Sequence, residues 1–329
     1  MRSSMITSFY FKKSGEVETN LSRARLLSVL GEKNGLLWVD LEEPNEFESD
    51  SLVEIFNFHP LAIEDCMTDQ SQPKLDDYGE YLFMVVHAIM MHDKGSKREL
   101  RTVELDIFIG ENFVVTVHKE PLVSVAQVRE LAQKKAPALM GSGPDMLVHS
   151  LLDHLVDRYL PVLDEYDNKI NSLEKEMFRH TSKDFLKSLL QIKQDMFHLR
   201  RIVGPQRDTL YSLTRDSSAF IKADHLMYFR DIYDHLFRIY GMAEAYHENL
   251  NNILQVYFSY SSFRLNEVLK HLTVLATVTM PPVIIASVYG MNFKHFPELE
   301  WAMGYPFAIG LCVLSSLAML VWMKFKKWI

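Results

Sequence analysis

The stretches Leu272–Tyr289 (LTVLATVTMPPVIIASVY) and Trp301–Met323 (WAMGYPFAIGLCVLSSLAMLVWM) carry no charged residue and decide the fold of this 329-residue chain. A helix needs about 20 apolar residues to cross the hydrocarbon core of a bilayer, and both stretches are close to that length. For the first stretch, which contains Pro281 and Pro282, a buried core helix is the alternative. The second has tryptophans near both ends and is followed by lysines, which is typical of a membrane span whose ends lie at the membrane–water interfaces. We therefore predict two membrane spans, 272–289 and 301–323.

The charges that flank the two spans predict the orientation of the chain. Arg264 and Lys270 precede the first span, and three lysines lie in the basic tail 324–329 after the second. The loop between the spans has one lysine against Glu298 and Glu300. Cytoplasmic flanks of membrane spans carry an excess of lysine and arginine. We therefore expect a multi-pass protein of the cell inner (plasma) membrane, with both termini cytoplasmic and the loop outside.

Composition excludes several classes of protein. The net charge is -8 and the sequence pI is about 5.9, which argues against nucleic-acid binding because phosphate neutralisation needs clustered lysine and arginine. The only two cysteines, Cys66 and Cys312, build neither a disulfide framework nor a thiolate zinc site. The mean hydropathy of -0.06 is too low for a chain that is mostly membrane.

Residues 1–140 mix strand and helix patterns, and we predict an α/β soluble domain there. Three segments are rich in β-branched and aromatic residues, and a Gly110-Glu111-Asn112 break inside the third indicates a hairpin. Apolar periodicity indicates two helices between and after them. The predicted strands are Leu36–Leu41, Tyr81–Met90 and Val103–Val117, and the predicted helices are Phe47–Phe56 and Pro121–Gln133.

Residues 145–271 have a helical pattern, and we predict a cytoplasmic stalk of long helices. Asp145–His180 is interrupted only by Pro161, and Ser182–Val203 is followed by the stop signal Gly204-Pro205. A further helix runs from about Ala223 to Tyr289 and, at about 1.5 Å per residue, connects the soluble part mechanically to the first span. Its apolar residues recur at spacings of three and four, as in a heptad seam: Leu236, Ile239, Ala243, Tyr246, Leu250, Ile253, Tyr257 and Tyr260.

A short motif follows the first span. Tyr289-Gly290-Met291-Asn292-Phe293 places a glycine and an uncharged amide where the helix leaves the bilayer, and the loop continues as Phe296-Pro297-Glu298-Leu299. Here the sequence resembles the CorA family of magnesium transport proteins. The resemblance covers most of the chain and extends to Gly304-Tyr305-Pro306, Lys326-Lys327-Trp328, Tyr228–His235, Asn266–Lys270, His59–Asp65 and Gln72–Lys74.

The resemblance implies a homopentameric funnel in which the first span lines a pore and the second faces lipid. The selectivity filter would be Gly290, Met291 and Asn292, at the start of the outer loop 290–300. Because Mg²⁺ dehydrates reluctantly and keeps several waters, neutral amide oxygens suit the hydrated ion better than a tight carboxylate cage. A helix C-cap is the alternative role for Asn292.

The resemblance also implies which residues of the first span face the pore. Leu272 and Met280 would form an apolar constriction that gates by dewetting. No carboxylate lies in either span, so a proton relay is not expected. Three hydroxyl residues are polar candidates for which bonding to their own helix backbone is the alternative. The implied pore positions are Asn266, Leu269, Leu272, Met280 and Val283, and the hydroxyl candidates are Thr273, Thr277 and Ser287.

Family members are thought to be held closed by Mg²⁺ bound between soluble domains. The matching acids here are Asp231, Asp153 and Asp93. Carboxylates that face each other across a subunit interface repel when empty and are bridged when a hard cation fills the gap. The family often has a second acid where this chain has His92, so a softer ion such as Zn²⁺ or Ni²⁺ is the alternative at that position. The alternative for these acids is the solvated face of a charged helix.

These features predict a channel for divalent cations, with Mg²⁺ as cargo and regulator and with Co²⁺ and Ni²⁺ as further candidate cargo. We expect no enzymatic activity and no organic cofactor, and we expect copies of this chain, the lipid bilayer and divalent cations as partners. One alternative is a carrier for zinc or another transition metal with the same architecture. Another is a membrane-anchored sensor or enzyme, against which the chain has no phosphate-binding glycine loop, nucleophile elbow or zinc-hydrolase motif.

Overall fold

The chain forms two compact units in the computed structural model, Met1–Asn252 and Ile253–Ile329. The segment borders predicted near residues 140 and 271 are not borders between these units, and they stay predictions. The structure describes residues 5–45, 48, 53–68, 72–94, 97–178, 183–215, 219–292, 297 and 301–328.

The N-terminal unit contains a mixed sheet with seven strands among the described residues. They are β1 Met5–Lys12, β2 Val17–Thr19, β3 Gly35–Glu42, β4 Lys74–Asp77, β5 Tyr81–Lys94, β6 Lys97–Gly110 and β7 Phe113–His118. Their order across the sheet is β2-β1-β3-β7-β6-β5-β4. The pair β3 and β7 is parallel, and the other neighbouring strands are antiparallel.

The three predicted strand segments are confirmed. Residues 36–41 lie in β3, 81–90 lie in β5, and 103–117 cover the end of β6 and most of β7. The predicted hairpin is also present, because β6 ends at Gly110 and β7 begins at Phe113, which leaves a two-residue connection.

An aromatic cluster fills the core on one face of this sheet. The ring centroid of Phe58 lies 3.9 Å from that of Phe108 and 4.8 Å from that of Tyr81. Phe83 packs on Phe108 with centroids 4.7 Å apart, and all four side chains are buried. Burial of such side chains contributes roughly 1.5–3 kcal/mol each, so this cluster stabilises the sheet that carries the polar residues described below.

Helices follow and flank the strands. The predicted helix at Pro121–Gln133 is confirmed as α3, and the predicted long helix as α7. In the predicted helix Phe47–Phe56, residues 48 and 53–56 are helical and the others lie outside the described residues. The described helices of eight or more residues are α1 Arg23–Glu32, α2 Pro60–Met67, α3 Val123–Met140, α4 Pro144–Val156, α5 Tyr159–Glu176, α6 Lys183–Arg215, α7 Leu226–Tyr289 and α8 Gly304–Phe325.

One predicted helix interruption is confirmed and the other is wrong. The helical pattern of Asp145–His180 is interrupted next to Pro161, because α4 ends at Val156 and α5 begins at Tyr159, which places Pro161 in the first turn of α5, where a missing N–H costs little. Gly204-Pro205 does not stop α6, which continues to Arg215. A Cβ atom on Gly204 would lie 3.3 Å from a ring carbon of Tyr240, so the glycine allows α7 to pack closely there and tertiary packing overrides the local signal.

The predicted seam of α7 is buried or half-buried along its length. Its aliphatic members are buried, whereas its tyrosines are half-buried, as expected for residues at the edge of a helix interface. Leu236, Ile239, Ala243, Leu250 and Ile253 are buried, and Tyr246, Tyr257 and Tyr260 are half-buried.

In the C-terminal unit, the end of α7 packs against α8. The Ser316 hydroxyl donates to the Val278 carbonyl at 3.3 Å, and the Cys312 Sγ lies 3.9 Å from the Pro282 carbonyl oxygen. Gly304 is buried at the start of α8. Small residues at a contact let two helix backbones approach closely, which is the usual mode of packing between membrane helices.

Candidate functional site

The surface of α7 that faces away from α8 contains nearly all of the residues predicted to line a pore. Leu272, Met280 and Val283 have 61%, 64% and 61% of their surface exposed. On the opposite surface, Val278 and Pro282 are half-buried against α8. Asn266, Leu269, Thr273 and Ser287 are also exposed, whereas Thr277 is half-buried.

This exposed surface is apolar and helical over the whole first span. Large apolar side chains in such a row are stable only against lipid or against another protein surface. The α7 and α8 segments are also long and apolar enough to cross a membrane. The row of Leu269, Leu272, Met280 and Val283 is therefore available for contact with other copies of the chain or with lipid.

Two of the three hydroxyl candidates, Thr273 and Ser287, bond to their own helix. Thr273 donates to the Leu269 carbonyl at 2.8 Å, and Ser287 donates to the Val283 carbonyl at 2.7 Å. Such bonds satisfy the hydroxyl proton, but each oxygen keeps lone pairs that can accept from a water. These residues thus offer acceptors along the surface and no free donors.

The chain turns away from the helix at the predicted filter motif. The Gly290 N–H donates to the Ala286 carbonyl at 3.0 Å, and the Met291 N–H donates to the Val288 carbonyl at 3.2 Å. A Cβ on Gly290 would lie 3.2 Å from the Ala286 carbonyl oxygen, which is tighter than most side chains tolerate. Glycine therefore lets the helix end close on itself at this position.

Asn292 follows as an exposed residue, and its amide forms no hydrogen bond with any residue that the structure describes. The N–H groups of Gly290 and Met291 bond to the last carbonyls of the helix instead. The Asn292 side chain therefore does not cap the helix in this structure. The loop acids Glu298 and Glu300 lie outside the described residues.

The two acids Asp153 and Asp231 come close to one histidine in the N-terminal unit. Burial lowers the pKa of His149, and the carboxylates of Asp153 on α4 and Asp231 on α7 act in the opposite direction. The His149 ring also contacts Tyr228, with centroids 5.5 Å apart. Sequence analysis did not single out His149, although its spacing of four residues from Asp153 on one helix was a signal that could have found it.

Asp231 is well exposed, with 67% of its side-chain surface accessible, and the His235 Nε2 lies 4.0 Å from its Oδ2. An exposed pair at this distance holds a carboxylate only weakly. Asp93 and His92 both lie on β5, but the side chain of Asp93 is outside what the structure describes. Among the described residues, no three His, Cys, Asp or Glu side chains of a single chain are arranged to hold a metal ion.

Two apolar helices at the C-terminus, the uncharged segment Gly290-Met291-Asn292 after the first of them and an N-terminal α/β unit are the features of a membrane protein of the transport class. Residues 33–327 match the family described as CorA-like Mg2+ transporter protein. The chain belongs to this family, whose members are divalent-cation transporters rather than enzymes.

Curated relatives and solved structures agree with this assignment. The chain is 36% identical to YfjQ of Bacillus subtilis (strain 168) over 291 residues, which cover 88% of this chain and 89% of YfjQ. It is 34% identical to the cobalt/magnesium transport protein CorA of Thermotoga maritima over 276 residues, covering 84% of this chain and 78% of that protein.

The predicted architecture of α/β domain, long helix and C-terminal helix pair is confirmed by structural similarity. The complete structure of the CorA magnesium transporter from Methanocaldococcus jannaschii superposes with a TM-score of 0.84 at 18% identity, with 100% of both chains covered. The full-length CmaX protein superposes with a TM-score of 0.78 at 18% identity, covering 99% of this chain and 98% of CmaX.

Proposed function

We propose that this chain forms a channel that carries Mg²⁺, with Co²⁺ and Ni²⁺ as further cargo, down its electrochemical gradient. The observation that carries this proposal is the exposed amide of Asn292, which follows the end of the first span. The surface of that span that faces away from α8 has no charged side chain. Amide oxygens accept hydrogen bonds from the water shell of the ion without the strong attraction of a carboxylate. The ion is then recognised in hydrated form and released readily.

One chain with two spans encloses no aqueous path, so the pore requires several copies around an axis. We take the assembly to be the homopentamer that the family resemblance implies. Its support here is the apolar row of Leu269, Leu272, Met280 and Val283, which has no partner among the described residues of one chain. Asn266 would form an inner polar ring, and Gly290, Met291 and Asn292 the outer filter, with Thr273, Thr277 and Ser287 offering acceptors between them.

Rings of Leu272 and Met280 form the gate in this proposal. An apolar constriction stops hydrated ions when it is narrow enough to lose its water, and a small widening restores conduction. Neither span contains a carboxylate to relay protons. The driving force is the membrane potential and the gradient, and the potential alone supplies about 4.6 kcal/mol for a divalent ion at 100 mV.

In the proposed orientation, the two spans cross the cell inner (plasma) membrane and both termini lie in the cytoplasm. The basic residues on the flanks of the spans support it. Glu298 and Glu300 then lie on the outer side, where two negative charges per chain raise the local concentration of divalent cations before they reach the mouth.

Cytoplasmic Mg²⁺ bound between neighbouring subunits closes the channel in this proposal, and no organic cofactor is needed. Asp153 and Asp231 are its ligands, with Asp93 as a third candidate. The proposal is supported by the exposure of Asp231 and by the absence of a lysine or arginine ion pair to it among the described residues. Without the metal, the acids repel across the interface and the constriction opens.

Ion competition in one uptake assay tests the proposed cargo. The purified chain is reconstituted into liposomes, and Mg²⁺ entry is followed with an internal dye. We expect Mg²⁺ uptake well above that of protein-free liposomes, and we expect Co²⁺ in tenfold excess to slow it by about tenfold through competition for the same filter. Zn²⁺ entry faster than Mg²⁺ entry would favour the zinc-carrier alternative. Uptake equal to that of protein-free liposomes would favour the anchored sensor.

A further inference from the structure

The two helices of the C-terminal unit run antiparallel in a fixed register. The Ser316 hydroxyl of α8 donates to the Val278 carbonyl of α7 at 3.3 Å. One turn earlier on α8, the Cys312 Sγ lies 3.9 Å from the Pro282 carbonyl oxygen. A step of four residues along α8 is therefore matched by a step of four residues back along α7. Since both helices rise about 1.5 Å per residue, this register tells which residues lie at the same level along the pair.

This register brings together two basic segments that are far apart in the sequence. Lys324 follows Ser316 by eight residues, and both lie on α8. Lys270 precedes Val278 by eight residues, and both lie on α7. The two lysines are therefore each about 12 Å along a helix from the same contact, at the same end of the pair. We call this end the basic end, and it comprises residues 264–271 and 322–328.

The basic end carries five fixed positive charges and one carboxylate, that of Glu267. All six side chains are exposed, and none of them forms an ion pair with a residue that the structure describes. At the other end of the pair, residues 289–292 and 301–308 carry no charge. Like charges held at one level repel each other unless anions lie among them. The positive residues are Arg264, Lys270, Lys324, Lys326 and Lys327.

The end of α8 holds its lysines close to the helix. The Trp328 N–H donates to the Met323 carbonyl at 3.0 Å, and the Lys327 N–H donates to the Lys324 carbonyl at 3.1 Å. Lys327 itself has a φ of 58°, in the left-handed region where such helix ends usually have glycine. A lysine at this position keeps a charge at the helix end where the local backbone favours glycine. Positions that break a local rule in this way are often functional.

Aromatic side chains accompany the lysines. Trp322 and Trp328 are exposed, and Phe325 has 84% of its surface accessible. Tryptophan is enriched where the hydrocarbon core of a bilayer meets the lipid headgroups, because its ring is apolar and its N–H is polar. Lysine side chains at such a level place their apolar stems along the hydrocarbon and their ammonium groups among the phosphates. The basic end therefore fits the headgroup layer of a membrane.

We propose that the basic end binds the phosphate groups of anionic phospholipids, such as phosphatidylglycerol, in the leaflet that it faces. A phospholipid matches both parts of this surface, since its phosphate pairs with the lysines and its acyl chains contact the apolar side chains of the spans. Dissolved phosphate has no acyl chain and makes only the first contact. In a zwitterionic lipid, the headgroup cation offsets the phosphate charge. The proposal is independent of which ion the chain transports.

The test is quenching of tryptophan fluorescence by brominated lipids in vesicles that contain the full-length chain. Trp301→Phe removes the tryptophan at the other end of the helix pair, and Trp38 is buried in the sheet. Quenching by lipid then reports on Trp322 and Trp328. Phosphatidylcholine vesicles with equal fractions of brominated phosphatidylglycerol or brominated phosphatidylcholine are compared. We expect phosphatidylglycerol to be preferred at least about fivefold, the effect of one favourable charge contact.

Equal quenching by the two brominated lipids would overturn the proposal, because the basic end would then be covered by protein or indifferent to lipid charge. Inorganic phosphate at about 10 mM should leave the preference for phosphatidylglycerol unchanged, since it lacks the acyl chains. Loss of the preference in phosphate would assign the site to the free anion and would likewise contradict a lipid site.

Two variants in the same background locate the surface. Replacement of the three lysines of the tail by glutamine should reduce the preference to less than about twofold. Lys270→Gln alone should reduce it by about half, because the register places this residue at the level of Lys324. An unchanged preference in either variant would contradict the proposal. The matched control, which makes the same change in net charge at exposed lysines of the N-terminal unit, should keep the wild-type preference; it combines Lys13→Gln, Lys175→Gln and Lys187→Gln.

Discussion

Asn292→Ala is expected to reduce Mg²⁺ uptake by reconstituted liposomes to less than a tenth of the wild-type rate. The substitution removes the exposed amide that follows the helix end and, in an assembly of several copies, removes it from every subunit at once. If each ion loses one hydrogen bond to an amide worth about 1.5 kcal/mol, the uptake rate falls by about tenfold. The measurement is the initial rate of dye response at equal protein density.

A matched control separates this effect from a general loss of folding. Asn251→Ala changes an exposed asparagine on the same long helix, outside the spans, and should transport at the wild-type rate. Both variants should elute at the wild-type position in gel filtration. Undiminished uptake by a well-assembled Asn292→Ala protein would refute the assignment of the outer mouth.

Asp153→Lys combined with Asp231→Lys is expected to give a channel that internal Mg²⁺ no longer inhibits. The two changes replace carboxylates that are proposed to attract the ion with ammonium groups that repel it. Asp231 is exposed and Asp153 is half-buried. The measurement is uptake at rising Mg²⁺ concentrations on the side of the soluble domain. The inhibitory concentration should rise at least about tenfold, which corresponds to about 1.4 kcal/mol of binding free energy.

Asp157→Lys combined with Asp234→Lys makes the same change in net charge. Both residues are exposed, each on or next to the same helix as one of the proposed regulatory acids. This control should keep the wild-type inhibition, which excludes a long-range effect of charge. Regulation would need other ligands if the double variant at Asp153 and Asp231 were inhibited as the wild type is.

Much of the fold could be predicted because the deciding signals are local. The strands at 36–41 and 81–90 and the hairpin at Gly110 follow from β-branched content and a turn. The spans follow from their length and lack of charge, and the Gly-Met-Asn motif between them is specific enough to indicate the family. The strands, the hairpin and the spans could therefore be predicted because each is determined by its own local sequence.

The prediction of a helix end is wrong where contacts with residues distant in the sequence determine the structure. Gly204-Pro205 has the local pattern of a helix end, but α6 continues because Tyr240 of a remote segment packs at that position. The contact of His149 with Tyr228 likewise joins two helices that are far apart in sequence. The placement of His87 beside Glu104 and of Val85 beside Asp106 likewise depends on the register of β5 against β6.

The central claim is that the chain is a Mg²⁺ channel. The most direct test is Mg²⁺ entry into liposomes that contain the wild-type chain as their only protein and no nucleotide or other chemical energy source. A channel predicts that uptake accelerates when an inside-negative potential is imposed, because 100 mV favours entry of a divalent ion by about 4.6 kcal/mol. Uptake that is independent of the potential, or equal to that of protein-free liposomes, would contradict the account.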